Sequence, residues 1–189
     1  MTNYDAKKQL QLLQELEDIA REIGASIVKI VNPSDVIFDI RARFKCHSCK
    51  RYGQKCTCPP HIPDIDYFKA LFSSYHWALF ISIKRKVKPK EWEAVGKESS
   101  RTLHKMLLEL ERQAFNRGCI FAISFIGGSC KMCDTKTCSL PCKNPSVGRI
   151  PIEATGVNVV ETCKRLDIDI KFPVVLNETF WRVGILLVE

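Results

Sequence analysis

The chain has 189 residues and a formal net charge of +8, with 46% hydrophobic and 26% charged residues. This length suits one domain with its own core, and the composition is that of an ordinary globular protein. Its apolar runs are too short to span a bilayer, and the N-terminal segment carries acids and no apolar signal core. We therefore expect a cytoplasmic protein without membrane contact. Reduced thiols in the cytoplasm argue against a disulfide framework and leave ten cysteines available to metals.

The spacing of apolar residues predicts an alternating order of helices and strands. The predicted elements are a helix over 7–23, strands over 26–31 and 36–44, a helix over 64–74, a strand over 76–84, a helix over 89–117, a strand over 119–126, a helix from Asn158 to about Leu166, and a strand over 181–188. This alternation predicts a single α/β domain over residues 1–189, with a mixed, mostly parallel sheet flanked by helices. An α+β sandwich is the alternative.

Two cysteine-rich loops follow predicted strands, over residues 45–63 and 127–150. Ligand sites of α/β sheets gather where strands end, so we expect both loops at one edge of the sheet. Below they are called the first and second cysteine loops.

Eight of the ten cysteines form two compact quartets, one in each loop. The first quartet is Cys46, Cys49, Cys56 and Cys58, and the second is Cys130, Cys133, Cys138 and Cys142. Four thiolates complete a tetrahedral zinc site or supply one ligand to each iron of a four-iron cluster. All eight cysteines are therefore predicted metal and cofactor ligands.

The spacings favour two [4Fe–4S] clusters over two zinc ions. The second quartet is close to the bacterial ferredoxin run Cys-x2-Cys-x2-Cys-x3-Cys-Pro, with two extra residues in the middle and a later proline. Zinc ribbons usually combine two Cys-x2-4-Cys pairs, whereas the second pairs here are Cys-x-Cys and Cys-x3-Cys. In two-cluster ferredoxins the fourth cysteine of a run binds the other cluster, so a quartet in sequence need not be a site in space.

Other residues near the quartets are given more ordinary roles. Cys119 and Cys163 lie in apolar contexts and are expected to be small buried hydrophobic residues. His47 and His61 are expected to be surface residues or to lie behind the ligands. For Arg149 we favour a structural ion pair over a substrate contact, and the same holds for Glu153.

The chain resembles the uncharacterised cysteine-rich predicted metal-binding proteins of anaerobic archaea and bacteria. The resemblance rests on Cys46-His-Ser-Cys49-Lys-Arg-Tyr52-Gly53, Cys56-Thr-Cys58-Pro59-Pro60, Gly127-Gly128-Ser129-Cys130-Lys131-x-Cys133, Pro141-Cys142-Lys143-x-Pro145 and Arg149-x3-Glu153-Ala154-x-Gly156-Val157. Lys143, Ile150-Pro151 and Asn158 depart from the pattern. The resemblance implies metal binding by iron–sulfur clusters and assigns no reaction.

The leading functional hypothesis is an iron–sulfur protein that passes electrons to or from a redox partner protein. The first alternative is a cluster-dependent reductase or desulfurising enzyme, and the second is a binding module stabilised by zinc. No familiar catalytic motif is present, so catalytic residues are unknown. The basic stretch Lys84-Arg85-Lys86 is expected to be a solvated loop, with docking to an acidic partner or to nucleic acid as the less favoured interpretation.

Overall fold

The computed structural model describes residues 3–133, 138–170 and 179–189. Its α-helices and strands, in chain order, are α1 (Asn3–Glu22), β1 (Ile27–Val31), α2 (Ile40–Phe44), α3 (Ile65–Ser73), β2 (Trp77–Lys86), α4 (Trp92–Asn116), β3 (Ile123–Phe125), α5 (Val159–Arg165) and β4 (Thr179–Val188). Short 3-10 helices lie at Pro33–Asp35, Lys45–Ser48, Pro89–Glu91, Pro145–Val147 and Ile152–Thr155. Within the described ranges, no helix combines the length and apolar character needed to cross a membrane.

The four described strands form one antiparallel sheet in the order β1-β2-β4-β3. The long strands β2 and β4 pair from Trp77 opposite Val188 to Lys86 opposite Thr179. The expected mostly parallel sheet is therefore wrong, and the fold has α+β character. The alternation of helices and strands does not set strand direction, because a helix can connect two parallel strands or two antiparallel strands.

Most predicted helices are confirmed by the structure, and the strand over 36–44 is the clearest error. Residues Ile40–Phe44 form α2, which begins at Asp39 because its carboxylate accepts the Arg41 backbone N–H at 2.9 Å. Val36 at the start of the alternating pattern is buried in the core, but Ile40 is 62% and Phe44 68% exposed, so the pattern does not continue into a buried strand. The first cysteine loop thus follows a helix, whereas the second follows a strand as expected. That strand, predicted over 119–126, spans only Ile123–Phe125.

Helices cover both faces of the sheet. On one face, Leu16 of α1 and Leu107 of α4 belong to a cluster with Leu79 and Ile81 of β2. On the other face, Phe68 of α3 packs in a cluster that includes Phe80. Because successive residues of β2 face opposite cores, the strand reads as a continuous apolar run in the sequence.

Candidate metal centre

The second cysteine loop begins and ends beside the same residue, Ile126. Ile126, which follows β3, donates its N–H to Ile150 at 3.0 Å and accepts the Ile152 N–H at 2.8 Å. Gly127 starts the loop against β4, where an added Cβ would meet the Val183 carbonyl oxygen at 2.6 Å. Both ends of the loop are therefore held on the sheet, and a side chain at residue 127 would push the first end away.

The first cysteine loop is a succession of tight turns. Cys49 donates its backbone N–H to Cys46 O at 3.0 Å, and Cys58 donates to Lys55 O at 3.0 Å. Gly53 closes the middle of the loop by donating to Pro59 O at 2.9 Å. These turns keep the loop compact although it lacks regular strand structure.

The two cysteine loops contact each other through their cysteines. The Cys138 backbone N–H donates to Gln54 O at 2.9 Å, and the Cys56 thiol donates to Ser139 O at 2.9 Å. One small cavity, of about 10 Å³, is lined by cysteines from both loops. These cysteines are Cys56, Cys130, Cys133, Cys138 and Cys142. The structure thus brings together two segments that lie more than seventy residues apart in the chain.

The cysteines that lie close together in space are not always those that are close in the sequence. Burial, together with Cys138 and Cys142 of the other loop, raises the pKa of Cys56 to about 11. Burial also raises the pKa of Cys58 to about 12, with added contributions from Cys46, Cys49 and Cys130. Cys56 therefore lies among cysteines of the second loop, while Cys130 lies near those of the first.

Thiol sulfurs of both cysteine loops accept hydrogen bonds. The Arg51 backbone N–H donates to Cys49 Sγ at 3.4 Å, and the Asn144 side-chain amide donates to Cys133 Sγ at 3.3 Å. Such donors stabilise negative charge on sulfur. In the described part of the chain, no three His, Cys, Asp or Glu side chains are arranged to hold one metal ion. The structure therefore gathers the predicted ligands in one region without assigning them to an ion.

The other cysteines and the histidines considered in the sequence analysis have structural contacts of their own. Cys119 and Cys163 are buried, 6% and 2% exposed, as expected for small hydrophobic residues. His47 stacks near Tyr52, with ring centroids 4.8 Å apart, and His61 Nε2 lies 3.2 Å from Gly53 O. Neither contact supplies a metal ligand.

Arg149 forms a buried ion pair, as favoured from the sequence, and its partner is Glu111 of α4. Arg149 Nε lies 2.7 Å from Glu111 Oε1, which also accepts the Ser124 backbone N–H at 2.6 Å and its hydroxyl. The Glu111 carboxylate thus links helix α4, strand β3 and the second cysteine loop. Glu153 instead accepts the Gly128 N–H at 3.2 Å. Glu111 was missed because it lies in the middle of a helix, 38 residues from Arg149, with no local signal.

A cavity of about 690 Å³ adjoins the first cysteine loop. Its lining includes Cys46 and Cys49 together with charged and aromatic residues, among them Arg41, Glu153 and Trp181. Burial raises the pKa of Cys46, with smaller contributions from Cys49 and Glu153 in the same direction and from Arg43 in the opposite one. A small molecule could therefore reach two thiols of the first loop through this cavity.

A family model described as "Predicted metal-binding protein (DUF2284)" matches residues 29–188, which include both cysteine loops. The search of curated proteins found no match. The search of solved structures likewise found no match.

Proposed function

Because the chain belongs to the DUF2284 family of predicted metal-binding proteins, we propose that it is an iron–sulfur protein with two [4Fe–4S] clusters that exchanges electrons with a redox partner protein. The observation that carries this proposal is the contact between the two cysteine loops. Cys56 donates to Ser139 O and lies beside Cys138 and Cys142, so thiols of both loops adjoin. Eight thiols in one region match the eight ligands that two cubane clusters require.

The neighbours of the thiols support two groups of four that each draw on both loops. The first cross-loop group is Cys46, Cys49, Cys58 and Cys130. The second cross-loop group is Cys56, Cys133, Cys138 and Cys142. In this grouping the quartets of the sequence exchange one cysteine, Cys56 for Cys130. Two-cluster ferredoxins also place one cysteine of a run on the other cluster, so such an exchange has a chemical precedent.

The residues around the thiols fit clusters of this kind. Thiolate is the preferred ligand of iron–sulfur clusters, and N–H groups directed at sulfur tune their potential. Arg51 and Asn144 provide such donors, one to each cross-loop group. When bound, the clusters would supply one-electron redox chemistry. The residues of the chain would supply the thiolates, direct N–H groups at the sulfur atoms and restrict the access of water to the clusters.

An exposed patch beside the first cross-loop group suits a partner protein. The patch consists of Ile40, Phe44 and Cys49, with Lys45 and Lys50 also exposed beside it. The rings of Phe44 and His47 are 5.3 Å apart, which places the Phe44 side chain against the turn that carries Cys46. Apolar residues bordered by lysines favour binding of a small acidic electron-carrier protein. Opposite charges increase the association rate of the two proteins, and the apolar contact orients the bound partner.

The deciding experiment is metal analysis and visible absorption of protein purified without oxygen. We expect a brown protein with a broad band near ~400 nm and about eight irons per chain. Cys130→Ala should lose about half of the iron, whereas Cys119→Ala, at a buried cysteine outside the loops, should lose none. A colourless protein with about two zinc ions would refute the redox proposal and make the sites structural.

Partner docking is tested separately by stopped-flow electron transfer to a small acidic electron-carrier protein. Phe44→Ser should slow the second-order rate about tenfold, and high salt should slow the wild-type protein because it screens the lysines. The matched control is Phe115→Ser, since Phe115 is 59% exposed on α4 and outside the patch. Equal slowing by both variants would exclude the patch as the docking site.

The cavity beside Cys46 and Cys49 supports a second candidate, a cluster-dependent reductase or desulfurising enzyme. Its wall offers Arg41 and Asn158, which could bind an anionic or polar substrate. Turnover of small reducible or sulfur-containing compounds by chemically reduced protein would support this activity. Arg41→Gln should then raise KM without changing the iron content, and an unchanged KM would argue against this cavity as the substrate site.

A further inference from the structure

The hydroxyl group of Thr57 is buried between two of the predicted ligands. Thr57 is the single residue that separates Cys56 from Cys58, so it lies where the two cross-loop groups adjoin. Its Oγ1 is shielded from solvent and has no hydrogen-bond partner among the residues that the structure describes. A buried hydroxyl of this kind costs free energy, because it has lost its hydrogen bonds to water without gaining an acceptor. Native proteins keep few such groups, so an acceptor for the Thr57 hydroxyl is expected.

The two branches of the Thr57 side chain face different neighbours. The methyl carbon lies 3.6 Å from the position that a Cβ at Gly148 would take, so this branch faces the second cysteine loop. The hydroxyl branch lies beside the Cys58 thiol: burial raises the pKa of that thiol, and the Thr57 hydroxyl opposes the rise. The two groups do not meet the geometry of a hydrogen bond. Cys58 Sγ is therefore the acceptor that the fold offers to this hydroxyl, although the bond is not formed to the free thiol.

Cys58 is the predicted ligand that gains most from a hydrogen-bond donor. It is 7% exposed, whereas the other predicted ligands are exposed or half-buried. Water therefore does little to stabilise negative charge on the Cys58 sulfur, and a donor from the protein has a larger effect in such surroundings. A neutral thiol is a weak acceptor, whereas a thiolate is charged and accepts strongly. The hydrogen bond is thus expected for the metal-bound thiolate and not for the free thiol.

On the basis of the proposed iron–sulfur function, we propose that the Thr57 hydroxyl donates a hydrogen bond to Cys58 Sγ in the cluster-loaded protein and raises the reduction potential of the cluster held by the first cross-loop group. Reduction adds one electron, supplied by the redox partner, and increases the negative charge shared by the sulfur ligands. A donor directed at sulfur stabilises the reduced state more than the oxidised state, and Thr57 keeps its proton throughout. Thr57 thus sets a potential without being a ligand.

The test is a redox titration of protein purified without oxygen, with dithionite as the reductant and electron paramagnetic resonance as the readout. Thr57→Val keeps the shape of the side chain and removes the hydroxyl. The ratio of reduced to oxidised first cluster at a fixed solution potential should fall about tenfold, which corresponds to about 59 mV for one electron. Thr57→Ser restores the hydroxyl and should titrate as the wild type does. Cys130→Ala should retain only the second cluster, and its potential identifies which of the two wild-type potentials belongs to the first.

The matched control is Thr162→Val on helix α5, outside both cysteine loops. The Thr162 hydroxyl is also buried, but it accepts the Ile37 backbone N–H at 3.0 Å. Its loss should leave both reduction potentials unchanged even where it lowers stability, because no predicted ligand contacts this hydroxyl. Should Thr57→Val lose iron, Thr57→Ala gives the same comparison, since it also lacks the hydroxyl and adds no methyl group beside the sulfur.

Metal content, measured first on every sample, separates a failure of this inference from a failure of the proposed function. With about eight irons per chain retained, an unchanged potential on removal of the hydroxyl would overturn the role of Thr57 and leave the cluster proposal standing. An equal shift of both potentials, or a Thr57→Ser variant that titrates like Thr57→Val, would also overturn it. A colourless zinc protein would refute the iron–sulfur function and this inference together.

Discussion

The thiol of Cys56 donates a hydrogen bond to the backbone carbonyl of Ser139, although the two residues lie 83 positions apart in the chain. This contact joins the two cysteine loops. It also places Cys56 beside Cys138 and Cys142 of the second loop.

The cross-loop grouping can be tested with pairs of cysteine substitutions. Cys56→Ala and Cys142→Ala should each remove one site, and the double variant should lose no more metal than either single one, because both ligands belong to the same site. Cys56→Ala combined with Cys46→Ala should remove both sites. Metal analysis and electron paramagnetic resonance of the reduced proteins check this expectation. The reverse pattern, with Cys56 and Cys46 acting on one site, would return the ligands to the quartets of the sequence.

The ion pair between Glu111 and Arg149 should contribute strongly to stability. Its side chains are 11% and 19% exposed, so Glu111→Gln leaves a poorly solvated guanidinium without its charge partner. We expect a loss of about 3 kcal/mol in the free energy of unfolding, measured by denaturant titration.

The control for this ion pair is Glu109→Gln on the same helix. Glu109 pairs with Arg112 at the surface, where the side chains are 34% and 61% exposed. Its substitution should change stability by less than about 1 kcal/mol. A similar loss from both variants would mean that Glu111 is no more than a helix-surface residue.

Gly127 should be required for the position of the second cysteine loop. In Gly127→Ala the new methyl group would meet the Val183 carbonyl oxygen at 2.6 Å, which is backbone and cannot rotate away. We expect a loss of about 1–3 kcal/mol in stability and reduced metal content. Gly148→Ala is the control in the same loop, because its nearest contact, Thr57 Cγ2, is at an ordinary 3.6 Å. It should retain metal and stability.

His104 should make stability fall with acid. Its pKa is lowered from 6.5 to about 4, mainly by burial and to a smaller extent by Arg149 and Lys131. These effects outweigh a hydrogen bond to the Val147 backbone and the charge of Glu111, which raise it. The unfolded chain therefore binds a proton more readily than the folded one, so stability is full above pH 6.5 and falls as the pH drops towards 4. Between pH 7 and 5 the loss should be roughly 2 kcal/mol.

Unfolding titrations at both pH values check the role of His104. His104→Gln should remove this part of the pH dependence, whatever its effect on stability at pH 7. His76→Gln should leave the pH dependence in place, because His76 is exposed. If His104→Gln retains the full dependence, another group is responsible.

Much of the secondary structure is readable from local patterns. Helix α5 begins where Asn158 caps it, with its side chain accepting the Glu161 N–H at 3.2 Å, and α4 follows the apolar spacing that predicts it. The strand predicted at 36–44 is wrong because Asp39 caps the start of a helix, and because Ile40 and Phe44 of the alternating pattern are exposed to solvent. The prediction of strand direction is wrong for a different reason, because strand direction depends on pairing between distant segments.

The sequence by itself determined where the eight cysteines lie in the chain and predicts that they are soft-metal ligands, because ligand type is a property of the side chain. It also determined most helices, whose periodicity and caps are local. Only the tertiary structure decided that Cys56 lies beside cysteines of the second loop, that Glu111 anchors Arg149, and that Lys131 and Arg182 line one cavity. These relationships join residues far apart in the chain, and such contacts form only when helices and strands pack and bring the two cysteine loops together.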